Sequence, residues 1–183
     1  MESTYKLHVA GIERDLRVVP IADNLSIASF VMLGDTELVE RCADALYEKV
    51  KQFKGTVDYL VCPEAKGIPL THALALRLGI NYIIIRKTVK GYMSNAIVHE
   101  VRSITSNFKQ TLVLDGVDAE RLNGKKVLIL DDVVSTGGSL NALKQCLAQT
   151  DCEILADVTV LLEDAGYNDP KLIYLEKLPV FKH

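Results

Sequence analysis

Residues 127 to 140, Val-Leu-Ile-Leu-Asp-Asp-Val-Val-Ser-Thr-Gly-Gly-Ser-Leu, constrain this chain more than any other stretch. Val127 to Leu130 form a short continuous apolar run, the kind that a parallel strand covered on both faces requires. Asp131 and Asp132 close the run. Burying two unpaired carboxylates is costly, so both are expected at the exposed carboxyl end of the strand, where open α/β sheets bind ligands. Ser135, Thr136, Gly137, Gly138 and Ser139 follow as a small-residue loop, and Leu140, Ala142, Leu143, Leu147 and Ala148 then have helical spacing. Backbone N–H groups of a Gly-rich turn at a helix start, joined by the hydroxyls of Thr136 and Ser139, make a cradle for a dianionic phosphate. Two carboxylates beside that cradle can accept hydrogen bonds from vicinal hydroxyls, so the stretch describes a ribose 5-phosphate site. A strand, turn and N-cap without a ligand would need neither adjacent acid. The missing Gly-Lys-Ser/Thr ending excludes a Walker A loop.

Strands and helices alternate around this stretch. Gly34-Asp35-Thr36 opens a helix with Leu38, Cys42, Ala45, Leu46 and Phe53 on one face; Glu37 lies in its first turn and Lys49, Lys51 and Lys54 near its end. Val57 to Val61 reads as a first core strand, and a loop and a helix from Pro69 to Gly79 follow it. Ile80 to Ile85 and Ile154 to Leu162 read as further strands. The alternation implies an α/β fold, a Rossmann-like central parallel sheet flanked by helices. Tyr5, Leu7 and Val9 alternate before a turn at Ala10-Gly11, so residues 1 to 34 are expected to form a small hood that begins with a hairpin. Asp23 to Met32 is only a short apolar segment. Between Arg86 and Gly124 only Ile97 to Val101 and Thr111 to Leu114 alternate, which predicts a flexible antiparallel arm. Ile173 to Phe181 is expected to return as an edge strand limited by Pro179. The reading is of one domain, with its core over residues 35 to 165.

A formal charge of −3 argues against a general nucleic-acid binder. The N-terminus lacks the basic start and apolar core of a signal peptide, and no run approaches membrane-spanning length. A cytoplasmic protein with neither nucleic acid nor membrane as partner is therefore expected. Cys42, Cys62, Cys146 and Cys152 lack metal-ligand spacing and read as reduced hydrophobes, although Cys62 borders a candidate loop. His8, His72, His99 and His183 also lack ligand spacing. His99, in the arm, is the one placed to meet a ligand.

Residues 127 to 140 closely resemble the phosphoribosyl pyrophosphate (PRPP) loop of the type I phosphoribosyltransferases, and the resemblance covers roughly residues 20 to 165. It implies Asp131 and Asp132 on the ribose hydroxyls and Ser135, Thr136, Gly137, Gly138 and Ser139 around the 5-phosphate. Glu64-Ala65-Lys66-Gly67 resembles the pyrophosphate loop of the same enzymes, which implies a non-proline cis peptide at Ala65–Lys66 or next to it. Arg86-Lys87 and Lys90 follow the second core strand, as in adenine and orotate enzymes. There they are placed to neutralise the charge that grows on departing pyrophosphate. The implied reaction displaces pyrophosphate from ribose C1 by a base nitrogen, with Arg86, Lys87, Asp131 and Asp132 as catalytic residues. Mg²⁺ is expected to bind through PRPP oxygens and water, without a direct protein ligand. A homodimer is expected from the family.

The accepted base is less marked. Hypoxanthine-guanine enzymes carry an acid where this chain has Ser135. Orotate enzymes have His-Gly near the lid lysines, where Gly91-Tyr92-Met93 stands here. Asp23 to Met32 and Asn107 to Thr111 resemble bacterial xanthine enzymes, but Met32 replaces their base-binding Asn. Adenine enzymes hold the ring with a segment before the first long helix, which points to Phe30, with Val133 as a second candidate. Their Glu-Tyr-Gly lid pattern is missing. The expectation is a purine enzyme that takes adenine and gives AMP and pyrophosphate. The alternatives are a xanthine or orotate enzyme, or a non-catalytic PRPP-binding regulator. A doubly wound nucleotide-binding module would need the Gly-x-Gly-x-x-Gly fingerprint, which is absent.

Overall fold

A computed structural model of the chain describes residues 3 to 102 and 109 to 183. In chain order the elements are β1 (Thr4–Val9), β2 (Ile12–Ala22), β3 (Leu25–Ala28), α1 (Thr36–Val50), β4 (Tyr59–Pro63), α2 (Ile68–Leu78) and β5 (Asn81–Ile85). Then follow β6 (Ile97–Arg102), β7 (Lys109–Leu114), α3 (Gly116–Leu122), β8 (Lys126–Val134), α4 (Gly138–Leu147), β9 (Glu153–Glu163), β10 (Leu172–Leu178) and β11 (Val180–Lys182).

Five strands make the central sheet in the order β10-β9-β8-β4-β5, and every pair in it is parallel. Val127, Leu128, Ile129 and Leu130 in β8 are fully buried. Leu128 and Leu130 face a core shared with α1 and α2, while Val127 and Ile129 face one shared with α3 and α4. A strand covered on both faces has no polar side to alternate with, which is why this run is continuous. The chain passes from β4 to β5 through α2 on one face and from β8 to β9 through α4 on the other. Strand order therefore reverses between β4 and β8, the position where open α/β sheets form a ligand crevice.

The hood is a four-stranded sheet, β1-β2-β3-β11. Ala10 and Gly11 make the β1–β2 turn with φ of 51° and 76°. Arg14 of β2 ties this sheet to the core, its Nε 2.7 Å from Oδ2 of Asp35, the residue that caps α1. The segment from Asp23 to Met32 holds a strand, β3, and the tail does more than edge the central sheet. Pro179 ends β10, and the last strand crosses to pair antiparallel with β3. The central sheet therefore continues past residue 165, and the hood includes C-terminal residues.

β6 and β7 form the expected antiparallel pair, joined to the sheet by mutual 2.8 Å hydrogen bonds between the backbones of Arg86 and Val113. The predicted arm also contains α3, which the sequence reading missed. It spans only 7 residues, too few for a helical periodicity to show. Asn107 and Phe108 of the xanthine-like segment lie outside the described residues. Among the described residues no helix is long and apolar enough to cross a membrane.

Candidate active site

Asp131 and Asp132 lie within β8, which runs on to Val134. β9 pairs with β8 as far as Val134, whereas β4 pairs with it only to Ile129. Beyond that point the β4–α2 loop closes in. A Cβ on Gly67 would lie 3.5 Å from both Asp131 Cα and Asp132 N, in ordinary contact with the strand, and 3.0 Å from Cys62 Sγ, which is the tight approach that favours glycine here. The expected exposed strand end is thus corrected: Asp132 is 3% exposed. Its burial is tolerated because Lys66 Nζ lies 2.9 Å from Oδ2, an ion-pair contact without hydrogen-bond alignment. Asp131 is half-buried and its Oδ1 accepts a 2.8 Å hydrogen bond from the Asp132 N–H. Burial, and then the neighbouring Asp132 charge, push the Asp131 carboxyl up to about 7.

Ser135 to Ser139 leave the strand as a loop that turns at Gly137, with φ of 80°, and starts α4 at Gly138. Together with Asp131 and Val133 this loop lines a small cavity. A larger cavity of about 370 Å³ adjoins it, sharing Asp131, Val133 and Ser139 and extending to Ala65, Lys66 and Lys87. Two concave spaces therefore meet at Asp131.

In the β4–α2 loop the Glu64–Ala65 peptide is cis, next to the bond singled out from the sequence. Glu64 does not offer its side chain to an anion. Its Oε2 is 3.2 Å from Arg86 Nε and accepts a 3.0 Å hydrogen bond from the Lys87 N–H. That backbone N–H, and then the guanidinium, hold the Glu64 carboxyl below the usual carboxylate range, and Lys90 adds a weaker effect. Arg86 also donates from Nη1 to the Tyr92 hydroxyl at 3.1 Å. What this loop presents to an anion is backbone, Lys66 and Lys87, with Arg86 held beside them.

The residues outside the loops fare differently. Val133 lines both cavities. Phe30 is 4% exposed and belongs to the core with Leu7, Met32 and Leu38, which corrects its assignment as a ring open to a base. Cys62 is fully buried and its thiol is pushed up to about 12 by burial, so it is no nucleophile. His99 bridges the arm to α4, its Nε2 3.1 Å from Gln145 Oε1.

A family model for the phosphoribosyl transferase domain matches residues 33–177. The chain belongs to the type I phosphoribosyltransferases of the purine type. The hypoxanthine/guanine phosphoribosyltransferase of Methanothermobacter thermautotrophicus is 32% identical over 154 residues, which cover 84% of this chain and 72% of that protein. HGPRTase-like protein 3 of Haloterrigena turkmenica is 35% identical, covering 86% and 84%. Among solved structures, adenine phosphoribosyltransferase from Thermoanaerobacter pseudethanolicus superposes with a TM-score of 0.68 at 22% identity, covering 88% of this chain and 95% of that one. The Saccharomyces cerevisiae enzyme, crystallised with adenine and an imino-altritol bisphosphate, gives 0.70 at 20% identity, covering 87% and 93%. At such identities the likeness is one of fold.

For a phosphoribosyltransferase, two cavities that meet at Asp131, beside Asp132, suit a substrate with an anionic group at each end. Sequence reasoning missed Leu112 and Leu143, which also line the larger cavity, and Tyr167, which packs on Gly137. Leu112 and Leu143 carry only the ordinary apolar signal of a strand and a helix. Tyr167 lies 30 residues after Gly137 and carries no local signal at all.

Proposed function

We propose that this purine phosphoribosyltransferase moves the 5-phosphoribosyl group of PRPP onto hypoxanthine or guanine. The bond from ribose C1 to a pyrophosphate oxygen breaks, a bond from C1 to a ring nitrogen of the base forms, and the ring N–H proton is released to water. The products are a nucleoside monophosphate and pyrophosphate. One observation carries the transfer: the phosphate-type loop at Ser135–Ser139 and the cationic loop at Lys66 adjoin across Asp131 and Asp132. In this reading the loop N–H groups and hydroxyls hold the 5-phosphate, and the two carboxylates accept hydrogen bonds from the ribose hydroxyls. Lys66, Lys87 and Arg86 offset the charge of the leaving pyrophosphate.

Mg²⁺ is the cofactor we propose. No cluster of three His, Cys, Asp or Glu side chains is present among the described residues, but Asp131 offers hard oxygen at the edge of both cavities. Such a donor fits an ion that prefers substrate phosphates and water. When bound, the ion lowers the charge on pyrophosphate.

The relatives named hypoxanthine/guanine phosphoribosyltransferase, at 32% identity, support the 6-oxopurine choice. A second reading, adenine giving AMP, is favoured by Ser135, which stands where hypoxanthine-guanine enzymes carry an acid. The test is nucleotide formation from PRPP, Mg²⁺ and each of hypoxanthine, guanine, xanthine and adenine. Hypoxanthine and guanine should exceed adenine in kcat/KM by about 10⁴-fold, the scale at which hydrogen-bonding sites reject a mismatched edge. An adenine preference would replace the base assignment and leave the transfer intact. PRPP binding with no pyrophosphate released from any base would point to a non-catalytic regulator.

A further inference from the structure

Away from the substrate-facing loops, a series of contacts runs from the buried middle of β9 to the backbone of Gly137. Asp157 of β9 is 1% exposed and forms an ion pair with Lys144 of α4. The same ammonium is 3.3 Å from Asp169 Oδ2, in the connection between β9 and β10. Asp169 Oδ2 also accepts a 3.3 Å hydrogen bond from the Tyr167 hydroxyl, and its Oδ1 accepts one of 2.9 Å from the Lys171 N–H. The Tyr167 ring then abuts the phosphate loop: a Cβ on Gly137 would fall 2.1 Å from Cδ2 and 2.3 Å from Cε2. Gly137 is thus required twice, by its left-handed φ of 80° and by a ring that fills the place of its side chain.

We propose that Tyr167 is a positioning residue for the 5-phosphate. A loop of two glycines and three hydroxyl residues has much conformational freedom, and an anion that binds its N–H groups must order it. A ring packed against the loop at its turn removes part of that freedom beforehand, which tightens binding without touching the ligand. Asp169 holds the ring by its hydroxyl, while Lys144 anchors Asp169 to Asp157 and so to the sheet. The arrangement couples the β9–β10 connection to one end of the substrate only. Pyrophosphate, seated by the β4–α2 loop, gains nothing from it. This inference rests on the reading of Ser135–Ser139 as the phosphate site.

Calorimetry with ribose 5-phosphate and with pyrophosphate, alongside steady-state kinetics, tests it. Tyr167→Ala should weaken ribose 5-phosphate binding and raise the KM for PRPP by about 10-fold, the lower end of what supporting residues around a site contribute. Pyrophosphate affinity and the KM for the base should stay within about twofold of the unmodified protein, and Tyr167→Phe, which keeps the ring but loses its hydroxyl anchor on Asp169, should restore ribose 5-phosphate binding to within about threefold. Unchanged ribose 5-phosphate affinity in Tyr167→Ala, equal losses for both ligands, or a phenylalanine variant as weak as the alanine one would each overturn the proposal. Should Tyr167→Ala not fold, Asp169→Asn takes its place, with about threefold weaker ribose 5-phosphate binding expected and no change overturning the idea. An unmodified protein that binds pyrophosphate but not ribose 5-phosphate would instead remove the phosphate-site reading beneath it.

Discussion

The loop after β8 carries no charged side chain between Val133 and Leu140, whereas the loop after β4 is bracketed by Glu64, Lys66, Arg86 and Lys87. The first offers backbone N–H groups, hydroxyls and the positive end of α4, and no side-chain ion pair blocks it. The second is already partly neutralised, with Lys66 on Asp132 and Arg86 on Glu64. An anion entering the first loop meets a prepared cradle; one entering the second must compete for cations that have carboxylate partners. On the proposed assignment, shape and preorganisation set affinity at one end, and exchange of ion pairs sets it at the other. Asp131 and Asp132 stand where the two regimes meet: Asp131 lines both cavities, and Asp132 holds Lys66.

The largest test of this contrast removes both acids. Asp131→Asn with Asp132→Asn takes away the acceptors proposed for the ribose and also the partner of Lys66. PRPP affinity should fall by roughly 10²- to 10⁴-fold, since hydrogen bonds to charged groups contribute about 1.5–3 kcal/mol each. Pyrophosphate alone should lose little, because the variant frees Lys66 for it. If PRPP bound the variant within tenfold of the unmodified protein, the acids would not be the junction between the two ends.

How far this contrast was legible beforehand follows from the distance over which each feature is determined. β8, its two acids and the start of α4 could be read directly, because an apolar run, adjacent carboxylates and paired glycines are contiguous. α1 was legible for the same reason: Asp35 caps it by accepting from the Leu38 N–H, and both residues lie within one turn. The Lys66–Asp132 pair joins residues 66 positions apart, so each appeared only as a loose charge in its own loop. The burial of Asp132 was invisible for that reason too, since the rule that carboxylates stay exposed lapses once a cation reaches them. β3 and β11 come from opposite ends of the chain, and nothing local to either names its partner. Phe30 shows the converse error, in which a resemblance to base-holding aromatics competed with ordinary core packing and packing won.

A smaller effect separates the two regimes by pH. The Asp131 carboxyl, pushed up to about 7 by burial and by Asp132, must be ionised to accept from ribose hydroxyls without giving up a proton. Ribose 5-phosphate affinity should therefore rise by about 10-fold from pH 6 to pH 8, the change expected for one carboxyl titrating at the midpoint. The phosphate group itself titrates near the lower limit, so the measurement is taken as the difference between the unmodified protein and Asp131→Asn, which should lack the step. The stability linkage has the matching sign. A carboxyl raised in the folded state contributes stability that is fully present below its unfolded value, about 3.9, and is lost as pH rises through about 7. Glu64 behaves oppositely: its carboxyl is lowered, so its contribution is present above the unfolded value and is lost as pH falls through the folded one. A ribose 5-phosphate profile with no step near pH 7 would remove Asp131 from the ribose.

Glu64 itself gives the smallest and most discriminating effect. Its ion pair with Arg86 is partly exposed, with side chains 25% and 30% accessible, and such pairs are worth only about 0.2–1 kcal/mol. If Glu64 competes with pyrophosphate for Arg86, Glu64→Gln should tighten pyrophosphate binding by up to about fivefold, the equivalent of the upper figure, while ribose 5-phosphate affinity stays unchanged. Glutamine still accepts from the Lys87 N–H, so the loop keeps its backbone anchor and only the charge is removed. Weaker pyrophosphate binding in this variant would mean that Glu64 aims Arg86 at the ligand rather than withholding it. The β4–α2 loop would then be preorganised by its ion pairs in the same sense that the β8–α4 loop is preorganised by its backbone, and the contrast between the two ends would reduce to one of charge alone.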